Sequence, residues 1–170
     1  VALERREGRV AGVSCDTPAG PQRLAARLVV GADGRDSVVA RDLGLRRGHA
    51  LRRFAVRGHF EGVQGLTDHG EMHVIQGAYC GLAPLSATEA NVAFVLHPRQ
   101  LASAAGDLTS FFLGTLARWP ELRERLASAR LLAPPRAIGP LAVQAAALSA
   151  PGAVLVGDSA GFYDPFTGEG

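Results

Sequence analysis

The residues of this chain best suited to ligand binding are two aspartates that lie beside glycines, each shortly after an apolar run. Residues 153–156 have the length and β-branched content of a buried strand, and a glycine and then Asp158 follow them directly. Residues 28–30 form a second buried strand, after which come Asp33 and Gly34. Because glycine lets a backbone approach a ligand closely, both strand ends are candidate binding sites.

The segment after Asp158 continues with small and turn-forming residues, among them Pro165 and a glycine-rich end. A helix that begins at about Thr167 would point its free N–H groups at whatever lies above the strand, which suits an anion or an electron-rich carbonyl. A strand, a turn and a helix start with nothing bound is the alternative interpretation, because glycine and proline punctuate all turns.

The whole string AVLVGDSAGFYDPFTGEG, residues 153–170, resembles the second flavin-binding signature of the FAD-dependent oxidoreductases built like p-hydroxybenzoate hydroxylase. That superfamily includes aromatic monooxygenases, flavin halogenases and geranylgeranyl reductases, and the ending PFTGEG is most similar to the geranylgeranyl reductase branch. The resemblance implies that the aspartate binds a ribityl hydroxyl of FAD and that the turn after the proline offers backbone amides to the flavin. The cofactor-binding residues implied in this segment are Gly157, Asp158, Pro165, Thr167, Gly168, Glu169 and Gly170.

Residues 31–41, GADGRDSVVAR, resemble the DG motif of the same superfamily. The resemblance implies that Asp33 and Gly34 lie beside the FAD pyrophosphate and ribityl chain, near the path of NAD(P)H. The family pattern has arginine where this chain has Ala40, and a shift by one residue to Arg41 rotates a helical side chain by about 100°. If both motifs bind one FAD, Asp33 and Asp158 should lie at the same end of neighbouring elements.

Short apolar segments between turn residues predict a β-meander at the start of the chain, before the strand and helix of the Asp33 motif. That helix should run from Ser37 to about Leu43, where Gly44 ends it. The predicted strands of the meander are residues 1–6, 9–16 and 22–27.

From about residue 49 to residue 96 the hydrophobic pattern has a period of two, which predicts strands with one apolar and one polar face. No helix is predicted between these strands, so they should form an antiparallel sheet, which is typical of a separate substrate layer. The predicted strands are residues 53–60, 71–76, 79–85 and 91–96.

Two helices and a returning strand are predicted after this sheet. Asp107 is a good N-cap for the first helix. Pro120 breaks that helix and begins the second, on which Glu121 and Arg125 are spaced as an ion pair. Residues 137–145 should then return as a strand.

The order of the motifs and of the sheet between them resembles the same superfamily over essentially the whole chain. It implies an α+β class, a partial FAD-binding (p-hydroxybenzoate hydroxylase-like) fold with a mixed cofactor-domain portion and an antiparallel substrate-domain sheet with helices. The expected divisions are residues 1–48 as part of the FAD-binding domain, 49–145 as the substrate-binding sheet and helices, and 146–170 as the return to the FAD-binding domain. The strand–GxGxxG–helix unit that would hold the ADP half of FAD does not occur in the sequence. We therefore interpret the chain as a fragment that binds FAD weakly by itself.

Composition excludes several classes of protein. The chain is 47% hydrophobic and 20% charged with a net charge of +2, which is ordinary for a soluble globular protein. Its 18 basic residues are all arginine without an aromatic-interleaved cluster, so no nucleic-acid partner is expected. Cys15 and Cys80 fit neither a metal pair nor a disulfide framework, which suggests reduced thiols in a cytoplasmic protein. The most apolar stretch, residues 141–157, is too short and interrupted to be a transmembrane segment.

Three side chains of the predicted sheet are candidates to face a substrate: His59, His73 and Tyr79. The five histidines show no metal-ligand spacing, so no metal site is predicted. Residues 79–84, YCGLAP, fall where halogenases carry a tryptophan-rich WxWxIP-like motif and geranylgeranyl reductases an aromatic FPK-like motif. Neither motif is present, which disfavours both branches.

Three functions are compatible with these patterns. The leading hypothesis, implied by the resemblance, is a fragment of an FAD-dependent monooxygenase that uses NAD(P)H and oxygen to hydroxylate an aromatic or polyketide-like small molecule. The alternatives are a geranylgeranyl reductase-like flavin enzyme that reduces double bonds of an apolar substrate, and a non-catalytic binding module. No Ser-His-Asp or paired-carboxylate pattern occurs, so no catalytic side chain is assigned, and the pattern predicts no oligomeric state.

Overall fold

The computed structural model describes residues 1–104 and 106–168, and the chain divides into two compact units. Unit 1 comprises Val1–Leu51 and Leu141–Gly170, and unit 2 comprises Arg52–Pro140. Antiparallel and mixed sheets predominate over a few short helices, so the predicted α+β class is confirmed.

The strands are β1 (Ala2–Arg6), β2 (Arg9–Thr17), β3 (Gly20–Ala25), β4 (Val29–Gly31), β5 (Arg46–Gly48), β6 (Phe54–Glu61), β7 (Glu71–Ile75), β8 (Ala78–Pro84), β9 (Glu89–Leu96), β10 (Arg130–Leu131), β11 (Arg136–Ile138), β12 (Val143–Ala145), β13 (Ser149–Ala150), β14 (Ala153–Leu155) and β15 (Gly161–Phe162). The α-helices are α1 (Val38–Asp42), α2 (Pro98–Leu101), α3 (Leu108–Leu116) and α4 (Pro120–Arg125). Short 3-10 turns occur at Ala102–Ala104, Gly157–Ser159 and Pro165–Thr167.

Unit 1 contains three small sheets. Strands β1, β2 and β3 form the predicted antiparallel meander. Glu7 and Gly8 join the first two strands with φ angles of 51° and 78°, and paired positive φ angles suit the right-handed twist of a hairpin. The second sheet has the order β13-β14-β4, and the third has the order β15-β12-β5.

The two strands that were predicted to be buried are buried on one face only. Val29, Ala153 and Leu155 are at most 9% exposed, whereas Val30 is 53% exposed and Val156 is 41% exposed. Side chains alternate along a strand, so the second face of the β4–β14 pair is open. Parallel strands are normally covered on both faces, so their apolar sequences predicted two buried strands. The pattern of apolar residues alone could not show that one face of the β4–β14 pair is exposed.

Unit 2 is a six-stranded antiparallel sheet with helices α3 and α4 packed on one face. The strand order is β10-β6-β9-β8-β7, and β11 also pairs with β6. Along β6, Val56 and Phe60 are at most 2% exposed while Arg57 is exposed, which confirms the predicted period of two. Three aromatic rings of the core are in contact, because Phe112 stacks on Phe60 and on Phe94, with ring centroids 5.9 Å and 5.3 Å apart, respectively.

The helix starts were predicted correctly, but the ion pair on α4 was not. The Asp107 carboxylate accepts from the Ser110 amide at 2.9 Å and caps α3, and Pro120 is the first residue of α4. Arg125 does not pair with Glu121. It donates to the Glu71 carboxylate at 2.5 Å on the neighbouring strand β7, where the half-buried setting favours a charge-assisted hydrogen bond over an exposed helical pair.

The single strand predicted at residues 137–145 is wrong. Residues Arg136–Ile138 form β11 in the sheet of unit 2, and Val143–Ala145 form β12 in a sheet of unit 1. Between them lies Pro140, which has no N–H to donate to a ladder, preceded by Gly139 at a φ of 157°. The apolar pattern continues through this break, which is why the sequence predicted a single strand over residues 137–145.

Both cysteines are free thiols, and Cys80 is completely buried in the core of unit 2. Burial raises the pKa of the Cys80 thiol to about 12, so it is inert at neutral pH. Within residues 1–104 and 106–168, no group of His, Cys, Asp and Glu side chains is arranged to hold a metal ion. None of the helices in the same residues combines the length and apolar character needed to cross a membrane.

Candidate functional site

The structure brings the two aspartate motifs together in unit 1. Strands β4 and β14 run parallel and side by side, with Gly31 opposite Leu155 in the register. Asp33 follows two residues after the end of β4, and Asp158 follows three residues after the end of β14. Both aspartates therefore lie at the carboxyl end of adjacent strands, as a shared site requires. This end of a parallel sheet is where α/β folds commonly bind ligands.

Asp33 is occupied by hydrogen bonds within its own motif. One carboxylate oxygen accepts from the Ser37 hydroxyl at 2.6 Å, and the other accepts from the backbone amides of Val38 at 2.7 Å and Val39 at 3.2 Å. Burial acts to raise the pKa of the Asp33 carboxyl, but the hydrogen bonds from Ser37, Val39 and Val38 outweigh it, and the pKa lies below its ordinary value. The aspartate thus holds the start of α1 in place at the strand end.

We expect Asp33→Ala to destabilise unit 1 by about 1–2 kcal/mol, because the N-cap residue Ser37 and the first amides of α1 lose the acceptor of their hydrogen bonds. The stabilisation by a carboxyl with a lowered pKa is present above its unfolded pKa of about 3.9 and is lost as the pH falls through the folded pKa. The difference in melting temperature between wild type and Asp33→Ala should therefore be constant above about pH 5 and shrink below it. Scanning calorimetry from neutral to acid pH measures this. A difference that stays constant in acid would contradict a stabilising role of the ionised Asp33 carboxylate.

Asp158 differs from Asp33 because its carboxylate has no partner within residues 1–104 and 106–168. The residue is half-buried in the 3-10 turn Gly157–Ser159. Among the described residues no group donates a hydrogen bond to the Asp158 carboxylate or forms an ion pair with it. A half-buried carboxylate without internal partners is available to accept hydrogen bonds from a ligand.

Ser159 ties the two strand ends to each other, and the sequence analysis did not identify it. The residue is 5% exposed. Its hydroxyl contacts the carbonyl of Gly31 at the end of β4 and the carbonyl of Val156 at 2.6 Å, and it accepts from the Val156 amide at 3.3 Å. A serine directly after an aspartate at a strand end can form hydrogen bonds with nearby backbone groups in this way. That position is the sequence signal from which Ser159 could have been identified.

Three glycines, in the turns after β4 and β14 and at the end of the turn Pro165–Thr167, have open space around them. Gly34, Gly157 and Gly168 have φ angles of 78°, 59° and 73°, which disfavour any residue with a side chain. A Cβ atom built on each would meet no heavy atom within 4 Å. The open space at these positions therefore leaves the backbone accessible to a ligand. The positive φ angles independently explain why glycine occupies them.

The predicted helix at Thr167 lies at the limit of the described residues. The structure has the 3-10 turn Pro165–Thr167, which ends at Gly168, and the Asp164 carboxylate caps it by accepting from the Phe166 amide at 3.1 Å. Glu169 and Gly170 lie outside the described residues. The role of this turn in offering amides to a flavin stays a prediction.

Two aromatic side chains near these turns were not singled out from the sequence. Tyr163 is 67% exposed and its ring contacts the edge of His49, with ring centroids 5.4 Å apart. Phe166 is 48% exposed. Exposed aromatic rings one and four residues beyond β15 add apolar surface to the segment that follows Asp158.

The three candidate substrate-facing residues do not share one face of the sheet in unit 2. His59 alternates with the buried Phe60, and Tyr79 pairs with Val74 on the face away from the helices, where it is 5% exposed. His73 lies opposite the buried Cys80 on the helix-covered face. Its imidazole contacts the carboxylates of Glu71 at 3.2 Å and Glu121 at 3.4 Å. One substrate therefore cannot contact all three on the same side of the sheet.

Comparison with known proteins gives a consistent fold. No protein-family model matches the chain, and no curated protein sequence matches it significantly. The structure is similar to the myxobacterial chondrochloren halogenase CndH, a variant of FAD-dependent halogenases, with a TM-score of 0.88, 22% identity and 97% of this chain covered. It is also similar to a flavoprotein/dehydrogenase from Cytophaga hutchinsonii, with a TM-score of 0.80, 24% identity and 89% of this chain covered.

A third similar structure is a geranylgeranyl bacteriochlorophyll reductase-like protein from Thermoplasma acidophilum, with a TM-score of 0.73, 19% identity and 94% of this chain covered. The chain spans 40%, 39% and 41% of these three proteins, respectively. Because the sequence identities are this low, the structural similarity establishes the fold alone. The chain has a partial FAD-binding fold of the p-hydroxybenzoate hydroxylase-like type, which confirms the resemblance seen in its motifs.

Proposed function

We propose that this chain is part of an FAD-dependent oxidoreductase and that the adjacent ends of β4 and β14 bind the FAD. The observation that carries the proposal is the free, half-buried carboxylate of Asp158 at the carboxyl end of β14, next to the Asp33 motif on the parallel strand β4. The same fold in structures of FAD-dependent enzymes supports it.

The residues at the two strand ends fit the ribityl and pyrophosphate parts of such a cofactor. Ribityl hydroxyls are donors, and the Asp158 carboxylate is an acceptor without an internal partner among the described residues. The open space at Gly34 and Gly157 permits a phosphate or a polyol to approach the backbone. No basic side chain is needed to hold a polyol, since hydroxyl groups carry no charge.

When bound, FAD supplies the redox chemistry, and the protein supplies binding and orientation. In this chain Asp158 accepts hydrogen bonds from the cofactor, and Asp33 fixes the start of α1. Ser159 fixes the distance between the two strand ends, because its hydroxyl contacts carbonyls on both. A site whose supporting groups are bonded to each other is held in shape before the ligand binds, which reduces the entropy lost on binding.

For the reaction we propose hydroxylation of an aromatic or polyketide-like small molecule with NAD(P)H as the electron donor. Support comes from the two flavin motifs in this order, and from the absence from residues 79–84 of the tryptophan-rich motif of halogenases. The only tryptophan of the chain, Trp119, is buried in the core of unit 2.

Reduction of a double bond in an apolar substrate is the second candidate. The ending PFTGEG and the similarity to the reductase-like protein from Thermoplasma acidophilum favour it. The absence of an FPK-like segment at residues 79–84 opposes it.

The absorbance spectrum of the purified full-length protein tests the cofactor, and the product tests the reaction. We expect a flavin spectrum, NAD(P)H-dependent oxygen consumption stimulated by a phenolic substrate, and a product with one added oxygen atom. A product with two added hydrogens formed without oxygen would favour the reductase. A halogenated product formed only with halide present would replace both. A protein that takes up no flavin would favour the non-catalytic binding module.

A further inference from the structure

We propose that unit 2 carries a separate anion site, formed by Arg57, Arg136 and His59, which binds a carboxylate attached to an apolar body. The site lies on the face of the six-stranded sheet that α3 and α4 do not cover. It involves none of the residues at the ends of β4 and β14, and it requires neither FAD nor the proposed function.

The register of β6 and β11 brings the two arginines together. Arg136 lies directly opposite Arg57 in this antiparallel pair, and directly opposite residues have Cβ atoms about 4.5–5.5 Å apart on the same face. Arg57 alternates with the core-facing Val56 along β6, and Arg136 is followed on β11 by Ala137, which lies opposite Val56. Both arginines are exposed. The two guanidinium groups therefore share one small area of surface.

This arrangement leaves two like charges without compensation. Like charges directly opposite one another destabilise a sheet. Among the described residues no carboxylate pairs with Arg57 or Arg136. The neighbouring pair on the same strand is different, because Arg130 lies opposite Glu61 and donates to its carboxylate at 2.5 Å. The charge of Arg130 is thus neutralised by Glu61, whereas the charges of Arg57 and Arg136 remain available to attract an anion.

His59 adds a third polar group two residues along β6, on the same face. Its Nε2 atom lies 3.5 Å from Nη1 of Arg57. Asn91 is directly opposite His59 on β9, and its Oδ1 atom is buried without a hydrogen-bond partner among the described residues. Buried polar atoms are normally satisfied, and this oxygen is an acceptor, as is a carboxylate, so a water that donates one hydrogen to each would bridge Asn91 to the ligand.

The chemistry of the surface points to a carboxylate on an apolar body. A guanidinium presents a planar fork of donors that matches a carboxylate, and two of them can bind its oxygens from both sides. Two residues after Arg136, Ile138 is 48% exposed and lies opposite Ala55 on the same face. The apolar part of an organic acid would cover this isoleucine while its carboxylate pairs with the arginines.

Titration of the 170-residue chain with benzoate, followed by two-dimensional NMR, tests the site. We expect saturable shifts centred on β6 and β11, and weaker binding by at least about tenfold for benzamide, which has the same shape without the charge. Arg57→Gln and Arg136→Gln should each weaken benzoate binding by a similar factor. Arg130→Gln is the matched control and should bind benzoate as the wild type does, since Arg130 already has a partner.

A second measurement does not depend on the choice of ligand. At low salt and without added anions, Arg136→Gln should raise the melting temperature by removing repulsion, and Arg130→Gln should not. Benzamide binding as well as benzoate, or unchanged benzoate binding in both arginine variants, would overturn the proposal. Inorganic phosphate binding as tightly as benzoate would overturn the part played by the apolar body. Shifts that never saturate would show that no site exists.

Discussion

If the ends of β4 and β14 bind FAD as proposed, replacing Asp158 by alanine is expected to lower the FAD affinity of the protein by about one to two orders of magnitude. The reason is that a ribityl hydroxyl buried on binding would lose its acceptor, which costs about 1–3 kcal/mol. The free enzyme should keep its stability, since among the described residues nothing hydrogen-bonds to this carboxylate. Equilibrium dialysis with FAD, together with the melting temperature of the apoprotein, measures both effects.

Two further variants sharpen this test. Asp158→Asn keeps an acceptor oxygen and should lose less affinity than the alanine variant. Asp16→Ala removes an exposed carboxylate from β2 in the same unit and should leave FAD binding unchanged. Full retention of tightly bound FAD by Asp158→Ala would refute the assignment of this residue.

The two aspartates have separable roles, although the motifs that contain them look alike in sequence. Asp33 uses both carboxylate oxygens to hold α1, so its replacement should lower stability first and FAD affinity as a consequence. In the described part of the chain, the Asp158 carboxylate holds no other element in place. A variant series that reports stability and affinity together therefore distinguishes an aspartate that shapes the site from one that contacts the cofactor.

The parts of the fold that could be predicted from the sequence are those set by local rules. Alternation along β6, the cap at Asp107 and the helix start at Pro120 depend on residues near one another in the chain, and all three are confirmed. The adjacency of the two aspartate motifs was expected from a resemblance to known flavoproteins. Periodicity could not have placed them together, because it carries no information on which strands pair.

The features that could not be predicted depend on contacts between distant residues. Arg125 is spaced for Glu121 on its own helix, but the half-buried Glu71, 54 positions away, provides the better partner. Ser159 contacts a carbonyl 128 positions away, and no local pattern shows that this carbonyl is near. The opposition of Arg57 and Arg136 likewise exists only in the register of two strands far apart in sequence.

Phe112 carries the largest expected effect on stability in unit 2. Its side chain is completely buried between Phe60 and Phe94, which lie on neighbouring strands of the sheet. It therefore connects α3 to the sheet through two stacked contacts, each of which adds to the free energy of apolar burial. Phe112→Ala should lower the free energy of unfolding by about 3–5 kcal/mol, because the cavity left by a phenyl ring cannot collapse against rigid strands.

Urea unfolding followed by the fluorescence of Trp119 measures this effect. Trp119 is the only tryptophan of the chain, and its ring lies 6.3 Å from that of Phe94, so its signal reports the core of unit 2. Leu113→Ala is the matched control, since Leu113 is the next residue of α3 but is 44% exposed, and it should cost well under half as much. If Phe112→Ala is unfolded without urea, Phe112→Leu fills most of the cavity and should show a smaller loss in the same direction. Equal losses for Phe112→Ala and Leu113→Ala would mean that α3 does not anchor the core through this ring.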